Sequence, residues 1–206
     1  MFGLSLAASG TQKIKKDEII VERRNFLKSC ACIAAVGATE GLSAGAQATP
    51  KEPDSVRPQP GDYLVVEDGH RNARSISASE LVQEAQQVMA FPQDPISGVI
   101  RSGSRFNKVM VMRLDPALMD EETKQNSADG VVAYSAICTH QGCDVNSYIE
   151  DKKEFFCFCH YSRFDPYTAG KVTNGPATKK LAMLPIEIKD DLLVVKEPFT
   201  RKPGYK

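Results

Sequence analysis

Two short runs constrain this chain more than any other feature. They are Cys138-Thr139-His140-Gln141-Gly142-Cys143 and Cys157-Phe158-Cys159-His160-Tyr161-Ser162. Their first cysteines lie nineteen positions apart, room for two loops joined by a β-hairpin. Four of the six cysteines and two of the three histidines of the chain sit in these runs. Cysteines and histidines that only fill a core would be scattered. Here they are concentrated, and the residue types are those that grip metal.

Cys138 and His140 are two apart, so a tight loop can aim both at one centre. Cys157 and His160 are three apart and can do the same from a facing loop. Together they offer two thiolates and two imidazoles, the mixed donor set of a two-iron cluster with cysteines on one iron and histidines on the other. Cys143 and Cys159 remain, one in each run, placed to form a disulfide in an oxidising compartment. A tetrahedral zinc site is the competing reading. Zinc would take any four of the six donors and leave two cysteines idle.

The rest of the chain is read from this pair. Residues 1–48 have the features of an export signal. Glu22-Arg23-Arg24-Asn25-Phe26-Leu27-Lys28 resembles a twin-arginine motif, with Arg23 and Arg24 as the pair, and an Ala/Gly-rich run follows. Ala44-Gly45-Ala46 and Ala46-Gln47-Ala48 are small-x-small cleavage candidates. The apolar run is broken by Glu40 and falls short of the roughly 20 residues of a good membrane span, so a cleaved signal is favoured over a retained anchor. Twin-arginine export carries folded proteins, which suits a metal cluster built in the reducing cytoplasm. The expected location is therefore the periplasm, with membrane contact only through an uncleaved leader.

Residues 49–60 read as a proline-rich linker, extended and mobile. From Gly61 the chain reads as strands, at Tyr63–Val66, Lys108–Leu114, Val131–Tyr134, Glu154–Phe156 and a last hairpin over Ile186–Val195. Ser79–Ala90 is the one helix expected, with Leu81, Ala85 and Val88 on one face. Asp115–Asp129 reads as a polar surface loop, and the tail from Arg201 as frayed. Met110, Met112 and Met119 are assigned to core or loop, and His70 to an exposed turn. The sum is an all-β, antiparallel sandwich over 61–200, with a small cluster-binding subdomain at about 134–178. The formal net charge is zero, which gives no reason to expect nucleic acid.

The two runs resemble the two boxes of Rieske [2Fe–2S] proteins, including the extra cysteine pair of the disulfide-bearing branch found in cytochrome bc complexes and arsenite oxidase small subunits. The resemblance spans about residues 131–196. It implies one [2Fe–2S] cluster per chain, held by Cys138, His140, Cys157 and His160, with Cys143 and Cys159 bridged. It also implies that Gly142 and Ser162 support the cluster, and that Asn174-Gly175-Pro176-Ala177 is the proline loop that covers it. Three positions depart from the family pattern. Phe158 stands where a proline is usual, and Tyr161 where a glycine is frequent. Phe164 stands where bc-type proteins have a tyrosine bonded to a ligand sulfur.

The downstream pattern, with Phe164-Asp165, Gly170 and Gly175-x-Ala177-Thr178, is most like arsenite oxidase small subunits. That likeness implies an electron-transfer subunit on a larger molybdopterin-containing catalytic subunit. Its acceptor would be a c-type cytochrome or small copper protein, reached through the edge formed by His140 and His160. A bc-type quinol-oxidising subunit and a zinc-stapled binding domain are the alternatives. No substrate-transforming residue is expected in the chain. A Rieske oxygenase needs a second, two-His-one-carboxylate iron site, and only His70 is left for it.

Overall fold

The computed structural model describes residues 52–67, 73–85 and 87–205. The expected signal with Arg23 and Arg24, and His70, lie outside these residues. Among the described residues no helix is long and apolar enough to cross a membrane. Eleven strands and a single five-residue α-helix are present there. Every pairing between strands is antiparallel.

One sheet has seven strands. They are β1 (Tyr63–Glu67), β2 (Ala73–Ser75), β3 (Val88–Gln93), β4 (Val109–Arg113), β5 (Val131–Ser135), β10 (Ile186–Lys189) and β11 (Leu192–Val195). Their order is β10-β11-β1-β3-β4-β5, with β2 beside β1. The other sheet is a four-stranded meander, β6 (Ser147–Ile149), β7 (Glu154–Cys157), β8 (Ser162–Asp165) and β9 (Lys171–Asn174).

β4 and β5 form a wall shared by two cores. A strand's side chains alternate between faces. Val109, Val111, Val131 and Ala133 enter one core with Leu64, Ile186, Leu193 and Val195. Met110, Met112, Val132 and Tyr134 enter the other, beneath the four-stranded sheet, with Phe155, Phe164 and Leu181. Burial on both faces explains why these strands read as continuous apolar runs rather than alternating ones. Tyr134 closes the second core. Its ring meets Phe155 edge-on at 5.5 Å, and its hydroxyl donates to the Pro166 carbonyl at 2.7 Å.

Four local expectations are corrected. The Ser79–Ala90 helix does not form: a single 3₁₀ turn spans Ala78–Glu80, Glu84 takes φ +53°, and Val88 already belongs to β3. Arg113 explains the outcome. Its guanidinium donates to the carbonyls of Ala78 and Leu81, at 2.8 and 3.0 Å, which a helix would have used internally. The Asp115–Asp129 loop instead contains a 3₁₀ turn at Pro116–Leu118 and α1 (Glu121–Gln125). Asp115 and Asp120 cap them by accepting from the Ala117 and Thr123 amides.

The described part of the linker is fastened down. Asn107 Nδ2 donates to the Val56 carbonyl at 2.7 Å, and the Gly103 amide donates to that of Asp54 at 3.1 Å. The tail is not frayed either, because Pro203 and Gly204 are buried.

A buried ion pair pins the junction between that stretch and β1. Arg101 Nε and Nη2 donate to both carboxylate oxygens of Asp62 at 2.6 and 2.8 Å, and the Gln59 amide donates to Asp62 at 2.7 Å. The two side chains are 9% and 2% exposed. Removing one partner strands a buried charge. Asp62→Ala should therefore lower stability by about 3–5 kcal/mol, read from urea unfolding. The Asp62→Ala/Arg101→Ala pair should cost less than the sum of the singles.

Candidate metal centre

The first run follows β5 directly. The Cys138 amide donates to the Cys143 carbonyl at 2.8 Å, and the Gly142 amide returns to the Cys138 carbonyl at 3.0 Å. This closes a tight loop. Gly142 sits at φ +79°. A Cβ there would lie 3.0 Å from the Tyr205 ring.

The second run is the turn between β7 and β8. Cys157 and Ser162 are paired across the ladder, and the Tyr161 amide donates to the Cys157 carbonyl at 3.0 Å. Tyr161 takes φ +62°. That is the left-handed region where glycine is at ease and an ordinary residue costs about 1–2 kcal/mol. The glycine frequent at this position in the family thus has a conformational reason, and this chain holds a tyrosine there at a cost.

A covalent bond ties the loops together. Cys143 and Cys159 form a disulfide with Cα atoms 6.5 Å apart. Cys138 and Cys157 stay free and buried, at 2% and 1% exposure, within the apolar cluster of Phe155 and Phe164. The sulfurs of Cys143, Cys157 and Cys159 lie within 4.8 Å of one another. The bridged pair is spent, so Cys157 is the thiol of that group left to bind metal. The His140 and His160 rings face each other edge-on, with centroids 4.6 Å apart. His140 is half-buried, and its Nδ1 is buried with no hydrogen-bond partner. His160 is exposed.

This donor set fits a metal cluster with sulfur on its dry side and nitrogen on its wet side. Burial pushes the Cys138 thiol up to about 11, against the opposing pull of the His140 backbone N–H. Without a metal that thiol stays protonated at neutral pH, whereas metal binding displaces its proton.

A third loop leans on the other two. Gly175 sits at φ +84°, and a Cβ there would come within 2.5 Å of Ser162 Cα and 2.8 Å of the Ser162 nitrogen. Only a glycine lets the backbones approach so closely. The Ala177 amide then donates to Ser162 Oγ at 3.2 Å, and Thr139 Oγ1 donates to the Lys179 carbonyl at 2.6 Å. Pro176, expected to cover the site, is exposed; its neighbour Ala177 is the buried residue that makes the contact. Ser162 Oγ is thus engaged as the acceptor of the Ala177 amide, at the start of β8.

Phe158 and Tyr161 are 62% and 68% exposed and flank the Phe156 ring, at 4.8 and 6.0 Å between centroids. Thr139 and Ala177 were visible inside the motifs without a stated role. Arg105, which donates to the Gly142 carbonyl and to Asp144, both at 2.7 Å, and Tyr205 had no local signal, because their roles depend on long-range approach.

A beta domain that gathers two free thiols and two imidazoles at the tips of two bridged loops is a metal-cluster domain. Residues 99–185 match the Rieske [2Fe–2S] domain. The chain carries that domain, and with it a [2Fe–2S] cluster and a role in electron transfer.

The chain is 28% identical over 173 residues to a protein described as the Rieske subunit of a respiratory nitrate reductase in Haloferax mediterranei, covering 82% of this chain and 73% of that one. It is 38% identical over 84 residues to the cytochrome bc1 complex Rieske iron–sulfur subunit of Streptomyces lividans, covering 40% of this chain and 49% of that one. It thus spans about half the length of that second relative. The crystal structure of the cyanobacterial plasma membrane Rieske protein of Synechocystis PCC 6803 superposes with a TM-score of 0.32 at 28% identity, covering 43% of this chain and 76% of that one.

Two outcomes are expected. Cys143→Ser/Cys159→Ser should lose about 3 kcal/mol, the value for closing a loop of this size, together with bound iron, followed by urea unfolding and iron analysis. Gly175→Ala should cost about 2–3 kcal/mol through overlap and backbone strain. Gly61→Ala, also at positive φ but with no atom within 4 Å of the added Cβ, should cost less.

Proposed function

We propose that Cys138 and Cys157 ligate one iron of the cluster and His140 and His160 the other. The chain would then serve as the electron-transfer subunit of an exported oxidoreductase. One observation carries this reading: two buried, unbridged thiols and two adjoining imidazoles, one nitrogen of them buried without a partner, converge from loops locked by the Cys143–Cys159 disulfide. A tetrahedral zinc ion could use the same two thiolates and two imidazoles; the match of residues 99–185 to the Rieske [2Fe–2S] domain favours the cluster. Bound there, the cluster supplies a one-electron couple.

The chain's own residues determine how that couple is presented. Cys138 and Cys157 sit on the apolar side with Phe155 and Phe164, which keeps water from the sulfur ligands. His160 lies on the open side, so a partner approaching that edge meets imidazole first. Phe158 and Tyr161 offer it a flat apolar contact beside His160. Ser162 holds a proton toward sulfur, which favours the more negative, reduced state. Phe164 contributes no hydroxyl where the bc-type pattern has one.

The favoured partner is a larger catalytic subunit of the arsenite-oxidase type, containing molybdopterin, with a c-type cytochrome or small copper protein as acceptor. The twin-arginine-like leader supports assembly in the cytoplasm and export to the periplasm. The relative described as a nitrate reductase subunit supports a respiratory oxidoreductase outside the bc complexes. The bc-type reading draws on the higher identity, 38% over 84 residues, to a bc1 subunit.

The purified chain should be coloured, and its midpoint potential should fall between about −150 and +250 mV, below the top of the Rieske range near +300 mV. A value above that window would contradict the lost hydroxyl at Phe164. Replacing His140 and His160 together with alanine should empty the site of iron; full iron content in that variant would overturn the ligand assignment. Co-purification from native material with a molybdenum-containing subunit, rather than with a cytochrome b, separates the two partner readings.

A further inference from the structure

Beside the first loop, where Tyr205 approaches Gly142, lies a cavity of about 430 Å³ lined by Arg57, Phe106, Lys202, Pro203 and Tyr205. A shallower one of about 200 Å³ shares Arg57, Lys202 and Pro203 and adds Arg201 and Phe199. Among the described residues no carboxylate lines either. This is unusual in a chain whose formal charges balance.

The cations there are poorly neutralised. The Arg57 guanidinium lies 5.4 Å above the centre of the Phe106 ring, and its Nη1 donates to Asn107 Oδ1 at 3.4 Å, a long bond to a neutral group. Arg57 has no carboxylate partner among the described residues, and Lys202 is exposed and has none either. Arg201, by contrast, pairs with Glu122 at 3.4 Å. Phe106, Pro203 and Tyr205 supply flat apolar walls. The Tyr205 wall also presses on Gly142, in the loop that bears Cys138 and His140.

Two cations without counter-charge beside aromatic and proline walls, in a space at the small end of ligand sites, call for one chemistry. We propose that this cavity binds a small planar carboxylate, an anion carried on one or two aromatic rings, with Arg57 and Lys202 taking the charge and Phe106, Pro203 and Tyr205 the ring. The guanidinium fork suits a carboxylate in two-point contact. The neutral ring buries its faces where a bare inorganic anion would leave the apolar walls wet. The proposal does not rest on the electron-transfer reading, and the test below does not involve the metal ligands.

The probe is naphthoate, titrated by calorimetry into the full, cluster-loaded chain at low salt, with acetate and naphthamide as controls. Saturable one-to-one binding of naphthoate is expected, weakened about tenfold in Arg57→Gln and in Lys202→Gln, as for loss of one charge-assisted contact. Naphthamide should bind at least about tenfold more weakly, and acetate should give no saturable heat. Arg74→Gln, which removes an exposed arginine paired with Glu80 elsewhere, should bind like the parent. Thermal unfolding of each variant checks the fold, and Lys202→Gln, on an exposed side chain, keeps the test decisive should Arg57→Gln unfold. Absence of saturable naphthoate binding would overturn the proposal. So would equal binding of the amide, or parent-like binding by the combined Arg57→Gln/Lys202→Gln variant.

Discussion

The structure depends on holding two buried thiols and two adjoining imidazoles together at the tips of separate loops, with the buried Nδ1 of His140 left without a hydrogen-bond partner. A buried thiol or imidazole nitrogen with no partner is costly in a folded chain, and loops left to themselves would turn such groups to water. Three clamps prevent this. The Cys143–Cys159 disulfide joins the two ligand-bearing loops. Gly175 lets the third loop touch the backbone of the second at a distance no side chain would allow. Thr139 then fastens the third loop to the first through the Lys179 carbonyl. Each loop is held by the other two, and the donors are left facing a common space.

What the sequence showed plainly were features written in local residue types. The two metal-binding runs stood out because cysteine and histidine are scarce and were clustered. β4 and β5 stood out because both their faces are buried, and the last hairpin because its turn falls between two apolar runs. The Asp120 cap and acidic first turn of α1 were also visible and were passed over, because a five-residue helix leaves no periodicity to read. The opposite error occurred at Ser79–Ala90, where Leu81, Ala85 and Val88 had helical spacing. There the deciding group was Arg113, more than twenty positions downstream, which captured the carbonyls a helix would need. The proline-rich stretch and the tail were misjudged for a related reason. Their composition suits a solvated chain, but Asn107, Asp62 and the Phe106 region give them long-range partners.

The same division holds at the site. The two runs could be picked out from spacing, while the geometry that brings their side chains together could not. Tyr161 keeps a left-handed backbone that the family pattern gives to glycine, so the second loop retains its shape although the favoured residue is missing. In the third loop it is the Ala177 amide that reaches Ser162. Ser162 receives the third loop through its hydroxyl oxygen.

The shared wall of β4 and β5 means that the metal-bearing sheet has no floor of its own. A fragment cut at residues 134–178, the stretch that carries the two free thiols and both imidazoles, would leave Met110 and Met112 behind on the other sheet. Grafted onto another scaffold, it would have to find two methionine-sized fillings there before its thiols could stay dry. By packing, β4 and β5 belong with the two bridged loops as one block.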